Sequence, residues 1–294
     1  MSRPVTVGVD GSPEAVAAAG WAAREAVLRG VDLRIVYADQ WPGPVAVQSG
    51  SPEARRRWAE ELLAEAAGAV RREHPSLQLE TRHRSGQPAE VLADEAAGAG
   101  LLVLGSRGLG GVRGFLLGSV GMATISVTER PVVLVRAPGG SAAADGAAAA
   151  PAGPMRGVVV GVDLDRFSPP LLDFAFQEAV LRGDRVLVLY GWSIRPVVRD
   201  ASALVAAERE MGPDIARRLT EALGPWRREF PSVEIVERSP IGGPARLLLH
   251  AADNANLVVV GRRTRQGSLG AHIGSLTHAV IHHCPVPVAV IAHG

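Results

Sequence analysis

The chain has 294 residues, 47% hydrophobic and 21% charged, which supplies core material for two domains of ordinary size. Its 31 basic and 30 acidic residues leave a net charge of +1, so no bulk field draws nucleic acid or an anionic membrane. Aromatic residues are only 4%, few for base stacking along a single strand, and no apolar run approaches the roughly 20 residues that span a bilayer. The first residues, MSRPVTVGVD, enter a strand-like pattern without a secretory h-region, so a cytoplasmic location is expected. One cysteine, Cys284, allows no internal disulfide. There is no lysine, which excludes a Walker A loop and Schiff-base or pyridoxal-phosphate chemistry.

In chain order, Val5 to Val9 reads as a strand ending at Asp10-Gly11. Ser12-Pro13-Glu14 starts a helix, with Val16, Ala19, Ala23 and Val27 at helical spacing and Gly30 as C-cap. A strand over Asp32 to Tyr37 follows, then a loop with Trp41, Pro42 and Pro44. Ser51-Pro52-Glu53 opens a long helix with an apolar stripe of Trp58, Leu62, Leu63, Ala66 and Val70. Leu77 to Arg84 is a third strand, and Gly86-Gln87-Pro88-Ala89 opens a third helix. Leu101 to Leu104 is a buried strand, Ser119 to about Glu129 a helix, and Pro131 to Val135 a fifth strand. Strands alternating with helices imply a parallel, doubly wound sheet.

Residues 138–154, rich in Ala, Gly and Pro, read as a linker, after which the pattern restarts. Glu25-Ala26-Val27-Leu28-Arg29-Gly30 recurs unchanged as Glu178 to Gly183, a shift of 178 − 25 = 153. The same shift superposes Val7-Gly8-Val9-Asp10 on Val160 to Asp163, and Tyr37-Ala38 on Tyr190-Gly191. Further on the shift is 261 − 105 = 156, which matches Gly118-Ser119 to Gly274-Ser275, so about three residues are inserted, within the helical stretch 201–230. The chain is a tandem repeat, with a first domain over 1–137 and a second over 155–294.

The candidate site centres on Leu101 to Val135. A strand stops at Gly105, a glycine-rich stretch follows, and a helix begins at Ser119. Glycines let backbone N–H groups approach an anion, the helix N-terminus adds unpaired donors, and Arg107 and Arg113 add formal charge. Asp10, at the end of the first strand, is a carboxylate for ribose or adenine-side donors, although a turn or capping role is the competing reading. No G-x-G-x-x-G follows the first strand, which disfavours a dinucleotide oxidoreductase.

The spacing Gly105-x2-Gly108-x9-Gly118-Ser119, with VGVDGSP near the start, resembles the ATP-binding branch of the universal stress protein family, over nearly the whole chain. The resemblance implies two tandem Rossmann-like domains, each with five parallel strands, packed as an intrachain pseudo-dimer with Val132 to Val135 beside Val288 to Ile291. Carried over residue by residue, it places Gly8, Val9, Asp10 and Ala38 around adenine and ribose, and Leu104 and Gly105 along the ribose and first phosphate. Arg107, Gly108, Gly118, Ser119 and Val120 would hold the phosphates, with Mg²⁺ on the phosphate oxygens. In the second copy the corresponding positions are Asp163, Gly261, Arg263, Gly274 and Ser275. There Thr264 replaces the second glycine, a strained substitution if that position needs a positive φ, and Gln266 and His272 replace Gly110 and Leu116. The second copy is therefore expected to bind ATP more weakly or to bind something else, with Arg262, Arg263 and Arg265 keeping it anion-friendly.

His278, His282, His283 and Cys284 suggest a metal, but no complete ligand set is evident, and a polar helix end is the expected reading. No Ser/His/Asp triad or tuned base is assigned, so no residue is named catalytic. The expected function is an ATP-binding stress-response module that acts through its nucleotide-bound state, with at most slow ATP hydrolysis and with a homodimer or protein partner as further expectations. A nucleotide hydrolase and a ligand-free interaction scaffold are the alternatives.

Overall fold

The computed structural model describes residues 3–39, 51–106, 118–137, 157–193, 201–264 and 273–294. Arg107, Gly108, the rest of the glycine-rich stretch to 117, the linker, the Trp41–Pro44 loop, and Arg265, Gln266 and His272 lie outside the described residues. The chain divides into two compact units, with described residues 3–137 in the first and most of 157–294 in the second.

In the first unit β1 (Val5–Gly8), β2 (Leu33–Asp39), β3 (Leu79–Ser85), β4 (Leu101–Gly105) and β5 (Val132–Val135) form parallel pairs in the order β3-β2-β1-β4-β5. Leu101, Leu102, Val103 and Leu104 are all buried. Successive strand residues point to opposite faces, so both faces of the sheet are covered. The cover comes from α1 (Pro13–Arg29), α2 (Pro52–Glu73), α3 (Pro88–Ala97) and α4 (Ser119–Val127), with α1 packed on α2 and α3 on α4. Strand order reverses between β1 and β4, which places a crevice at their C-terminal ends.

The buried face of α1 departs from the expected stripe. Ala15, Ala18, Ala19, Ala22, Ala23 and Ala26 face the core, while Val16 and Val27 are 64% and 50% exposed. A methyl-only face lets the helix lie close to the sheet. The closeness is greatest at Gly105, where an added Cβ would sit 2.8 Å from the Glu14 carbonyl carbon and 2.9 Å from the Ala15 nitrogen. In α2 the buried face is Ala59, Leu63, Ala67 and Val70, and Trp58 lies half outside against the Tyr37 ring, centroids 5.2 Å apart.

The second unit repeats the plan with β6 (Gly157–Gly161), α5 (Pro169–Arg182), β7 (Val186–Leu189), α6 (Ala201–Ala222), α7 (Gly224–Glu229), β8 (Ile235–Arg238), α8 (Pro244–Ala252), β9 (Ala255–Arg263), α9 (Ser275–His283) and β10 (Val288–His293). Its order is β8-β7-β6-β9-β10, again all parallel. The insertion falls before Leu219. Leu219, Leu223 and Trp226 are buried where Leu63, Ala67 and Val70 are (219 − 156 = 63, 223 − 156 = 67, 226 − 156 = 70), so the later register is in place by Leu219.

The repeated hexapeptide is explained by the fold. Glu25 is 1% exposed and bound by Arg29 at 2.6 Å, while Glu178 is fully buried and bound by Arg182. Gly30 and Gly183 close the two helices at φ of 62° and 65°. A Cβ at Gly183 would meet nothing within 4 Å, so Gly183→Ala tests the left-handed backbone alone. We expect it to cost about 1–2 kcal/mol by chemical denaturation.

Candidate functional site

In the first unit the crevice is assembled from three chain ends. The Asp10 carboxylate accepts from both the N–H of Ser12, at 3.0 Å, and its hydroxyl, at 2.6 Å. Ser12 in turn accepts from the N–H of Ala15 at 3.1 Å, so it caps α1 as its sequence position suggests. Gly11, at φ 83°, makes the turn possible. Asp10 thus commits Oδ1 to the turn that aims the β1–α1 corner, the competing reading noted for it. Gly8 lies against two leucines: its Cβ would be 2.8 Å from Cδ2 of both Leu104 and Leu92.

Beyond Gly105, Ser106 donates its N–H to Val135 O at 2.8 Å and accepts the N–H of Gly118 at 3.3 Å. The two ends of the glycine-rich stretch are therefore tied together at the foot of β4. Gly118 caps α4 in extended geometry (φ −62°, ψ 151°) with no side-chain cap, which leaves the first-turn N–H groups of Ser119 and Val120 for another acceptor. The Ser106 hydroxyl is buried and has no hydrogen-bond partner among the described residues.

Sequence reasoning missed an aromatic group beside Ala38. The Tyr37 ring stacks on His83, centroids 5.6 Å apart, and meets Trp58 edge-on. Burial, and then the Asp39 and Asp10 carboxylates, push the Tyr37 phenol up to about 12. It therefore stays a neutral O–H donor at any physiological pH. Burial likewise raises Tyr190, with Asp165 and Asp163 adding to the shift. The chain holds two tyrosines, so alkaline titration of tyrosinate absorbance should show little ionisation below pH about 10. Tyr37→Phe should remove the step near pH about 12. The signal available in the sequence was the recurrence of Tyr37 as Tyr190.

The second unit keeps the frame and changes the contents. Asp163 Oδ1 accepts the Asp165 N–H at 3.1 Å, the same turn as at Asp10. The helix after it starts later, however. Pro13 corresponds to position 13 + 153 = 166, yet α5 begins at Pro169 and has 14 residues where α1 has 17. Roughly one turn has unwound at the crevice. The strand pair has meanwhile lengthened. Arg262 and Arg263 stay in register with Ala292 and His293, and Thr264 donates its N–H (2.7 Å) and hydroxyl (3.1 Å) to His293 O. Thr264 thus extends the hydrogen bonding between the two strand ends by one residue beyond β9. Gly274 caps α9 as Gly118 caps α4 (φ −60°, ψ 153°), and Thr277 donates to Gly261 O at 2.7 Å.

A cleft of about 280 Å³ results, lined by Asp163, Gly261, Arg263, Gly274 and Ser275 from the expected set, together with Arg166, Ser168, Thr277 and His293. The last four were not anticipated. Burial is the main cause that holds the His293 imidazole below its usual range, and Arg263 and Arg262 add to it. His278 and His282 bring their Nε2 atoms to 3.2 Å, and Cys284 is fully buried. Among the described residues no group of three or more His, Cys, Asp or Glu could hold a metal, and no helix is long and apolar enough to cross a membrane.

Two copies of one all-parallel α/β plan, each with a helix N-terminus that no side chain caps at its switch-point crevice, define a tandem α/β protein. The Universal stress protein family profile matches residues 1–136 and again 155–292, and the chain belongs to that family. A universal stress protein of Mycobacterium tuberculosis (strain ATCC 25618 / H37Rv) is 32% identical over 315 residues, covering 99% of each chain. One of Mycobacterium bovis (strain ATCC BAA-935 / AF2122/97) is 33% identical over 308 residues, covering 97% of this chain and 94% of its own. Among solved structures, a universal stress protein from Archaeoglobus fulgidus DSM 4304 matches with a TM-score of 0.69 at 19% identity, over 99% of this chain and 98% of its own, a likeness of fold.

Proposed function

We propose that the first unit is an adenine-nucleotide module that binds ATP with Mg²⁺, and that the protein acts in the stress response through its bound state. The observation that carries this is the foot of β4. Gly105 and Ser106 end a buried strand, the chain returns to them at Gly118, and the N-terminal turn of α4 has no side-chain cap, near a Ser106 hydroxyl that has no partner among the described residues. These groups fit a polyphosphate: backbone donors, a hydroxyl and a helix dipole, without a lysine. Gly8, Val9, Asp10 and Ala38 would flank the nucleoside, and Leu104, Gly105, Gly118, Ser119 and Val120 would meet ribose and phosphates. Arg107 and Gly108 complete the set by sequence. Mg²⁺ would sit on phosphate oxygens and supply charge neutralisation.

The test is to denature the purified full chain and identify released nucleotide by mass spectrometry, followed by ATP titration with and without Mg²⁺. Bound ATP or ADP supports the reading. Absence of nucleotide together with no saturable ATP binding overturns it. Hydrolysis well above ~1 s⁻¹ would move the protein to the enzyme class.

A further inference from the structure

The second-unit cleft has lost the nucleoside side of the pattern and gained charge. Its lining comes from the ends of β6, β9 and β10 and the starts of α5 and α9, with no residue of β7. In the first unit the end of β2 offers Ala38 and Asp39. The corresponding Gly191 is backed by Pro244, whose Cα would lie 2.9 Å from an added Cβ. The corresponding Trp192 is 6% exposed, its indole N–H donating to Ser239 O at 2.7 Å. That edge is packed shut, where an adenine ring would need room.

What remains suits a compact anion. Arg166 and Arg263 line the cleft, are exposed, and form no ion pair among the described residues. Ser168 occupies the N-cap of α5 without capping it, and its hydroxyl is buried with no partner among the described residues. A buried hydroxyl left unsatisfied is penalised, and an acceptor in the cleft would relieve it. The uncapped N-terminus of α9 adds N–H donors at Ser275 and Leu276. The His293 imidazole reaches Gly261, where Nε2 would lie 2.5 Å from an added Cβ.

We propose that this cleft binds a tetrahedral dianion, free or as the end group of a small phosphorylated compound, without a nucleoside, through Arg166, Arg263, Ser168, His293 and the α9 N-terminus. The inference is independent of ATP binding in the first unit. Asp163 is the opposing charge in the lining, and the ligand must outweigh it. The groups that face His293 are Asp163 from β6, Arg262 and Arg263 from β9, and Arg166 in the cleft. Burial keeps His293 neutral near pH 7, and a bound dianion favours its protonated form. Binding therefore takes up a proton, and affinity rises as pH falls through the acidic range.

The experiment is calorimetric titration of the full chain with sodium sulfate, a dianion throughout, at pH about 7.5 and about 5.5 with chloride holding ionic strength constant. Saturable binding is expected to tighten about tenfold at the lower pH, one pK unit of linkage. Arg263→Gln and Arg166→Gln should each weaken it about tenfold with an unchanged melting temperature, and His293→Gln should abolish the pH response. Inorganic phosphate should compete, adenosine should not, and ATP should compete no better than phosphate. A phosphate ester that outcompetes both inorganic ions identifies the end-group source, whereas equal competition identifies the free ion. No saturable sulfate binding, full binding in a folded Arg263→Gln and Arg166→Gln pair, an unchanged pH response in His293→Gln, or competition by adenosine each overturns the proposal. ATP titrated into the same Arg263→Gln variant reports separately on the first unit.

Discussion

Gly105→Ala should destabilise the first unit by about 1–3 kcal/mol and weaken ATP binding at least about tenfold. Its added methyl would lie 2.8 Å from the Glu14 carbonyl carbon and 2.9 Å from the Ala15 nitrogen. Both are main-chain atoms in the first turn of α1, so relief requires moving the helix and, with it, the Asp10–Ser12 corner. Gly8→Ala should cost less, because the atoms in its way are the free ends of Leu104 and Leu92. At the corresponding site in the second unit, Gly261→Ala meets a His293 ring that can swing aside, and the smallest loss of stability is expected there. Denaturant unfolding of the three variants, with ATP titration of the first, checks the order. Equal losses at Gly105 and Gly261 would refute the backbone argument.

Arg182→Ala should cost about 3–5 kcal/mol, the larger effect on stability. Glu178 is fully buried, and Arg182, four residues on, binds its carboxylate. Removing the arginine takes a bound cation away from a buried carboxylate, which the low-dielectric interior penalises. The charge, rather than the lost contact, is the cause, so a paired change should behave differently. Glu178→Leu combined with Arg182→Leu should lie within about 1–2 kcal/mol of the parent protein, because apolar replacements of buried ion pairs are often neutral. Thermal and chemical unfolding of both proteins decides it. A double variant as unstable as the single one would show that the pair itself, not its desolvation, holds the helix.

Much of the fold was legible because backbone signals are local. Ser12, Ser51, Gly30 and Gly183 cap helices where their positions suggest, and the parallel pairing of the strands follows from their alternation with helices. What periodicity could not supply was which face of a helix the sheet would take. Val16, Val27 and Trp58 carry the hydrophobic signal, yet alanines form the contact, because closeness to the sheet is worth more there than side-chain size. The first candidate site was visible as glycine spacing. The second was readable as a damaged copy, but its new contents were not. His293 lies far along the chain from Arg166 and Ser168, and the three line one cleft because α5 starts a turn late and β10 runs to His293.

The unchanged hexapeptide has a consequence for how such a chain diverges. Glu178 to Gly183 and its twin hold a buried charge pair and a left-handed helix end, so the scaffold itself polices those six letters in both copies. The end of β9 is held through its backbone, to β10 and to Thr277, and this leaves exposed side chains such as Arg263 freer to vary. After duplication one copy can keep the inherited ligand while the other is released to drift at its crevice. In a tandem protein of this kind, sequence identity between the halves maps the demands of architecture. The positions where the halves disagree, Thr264 and His293 among them, are where new chemistry is to be sought.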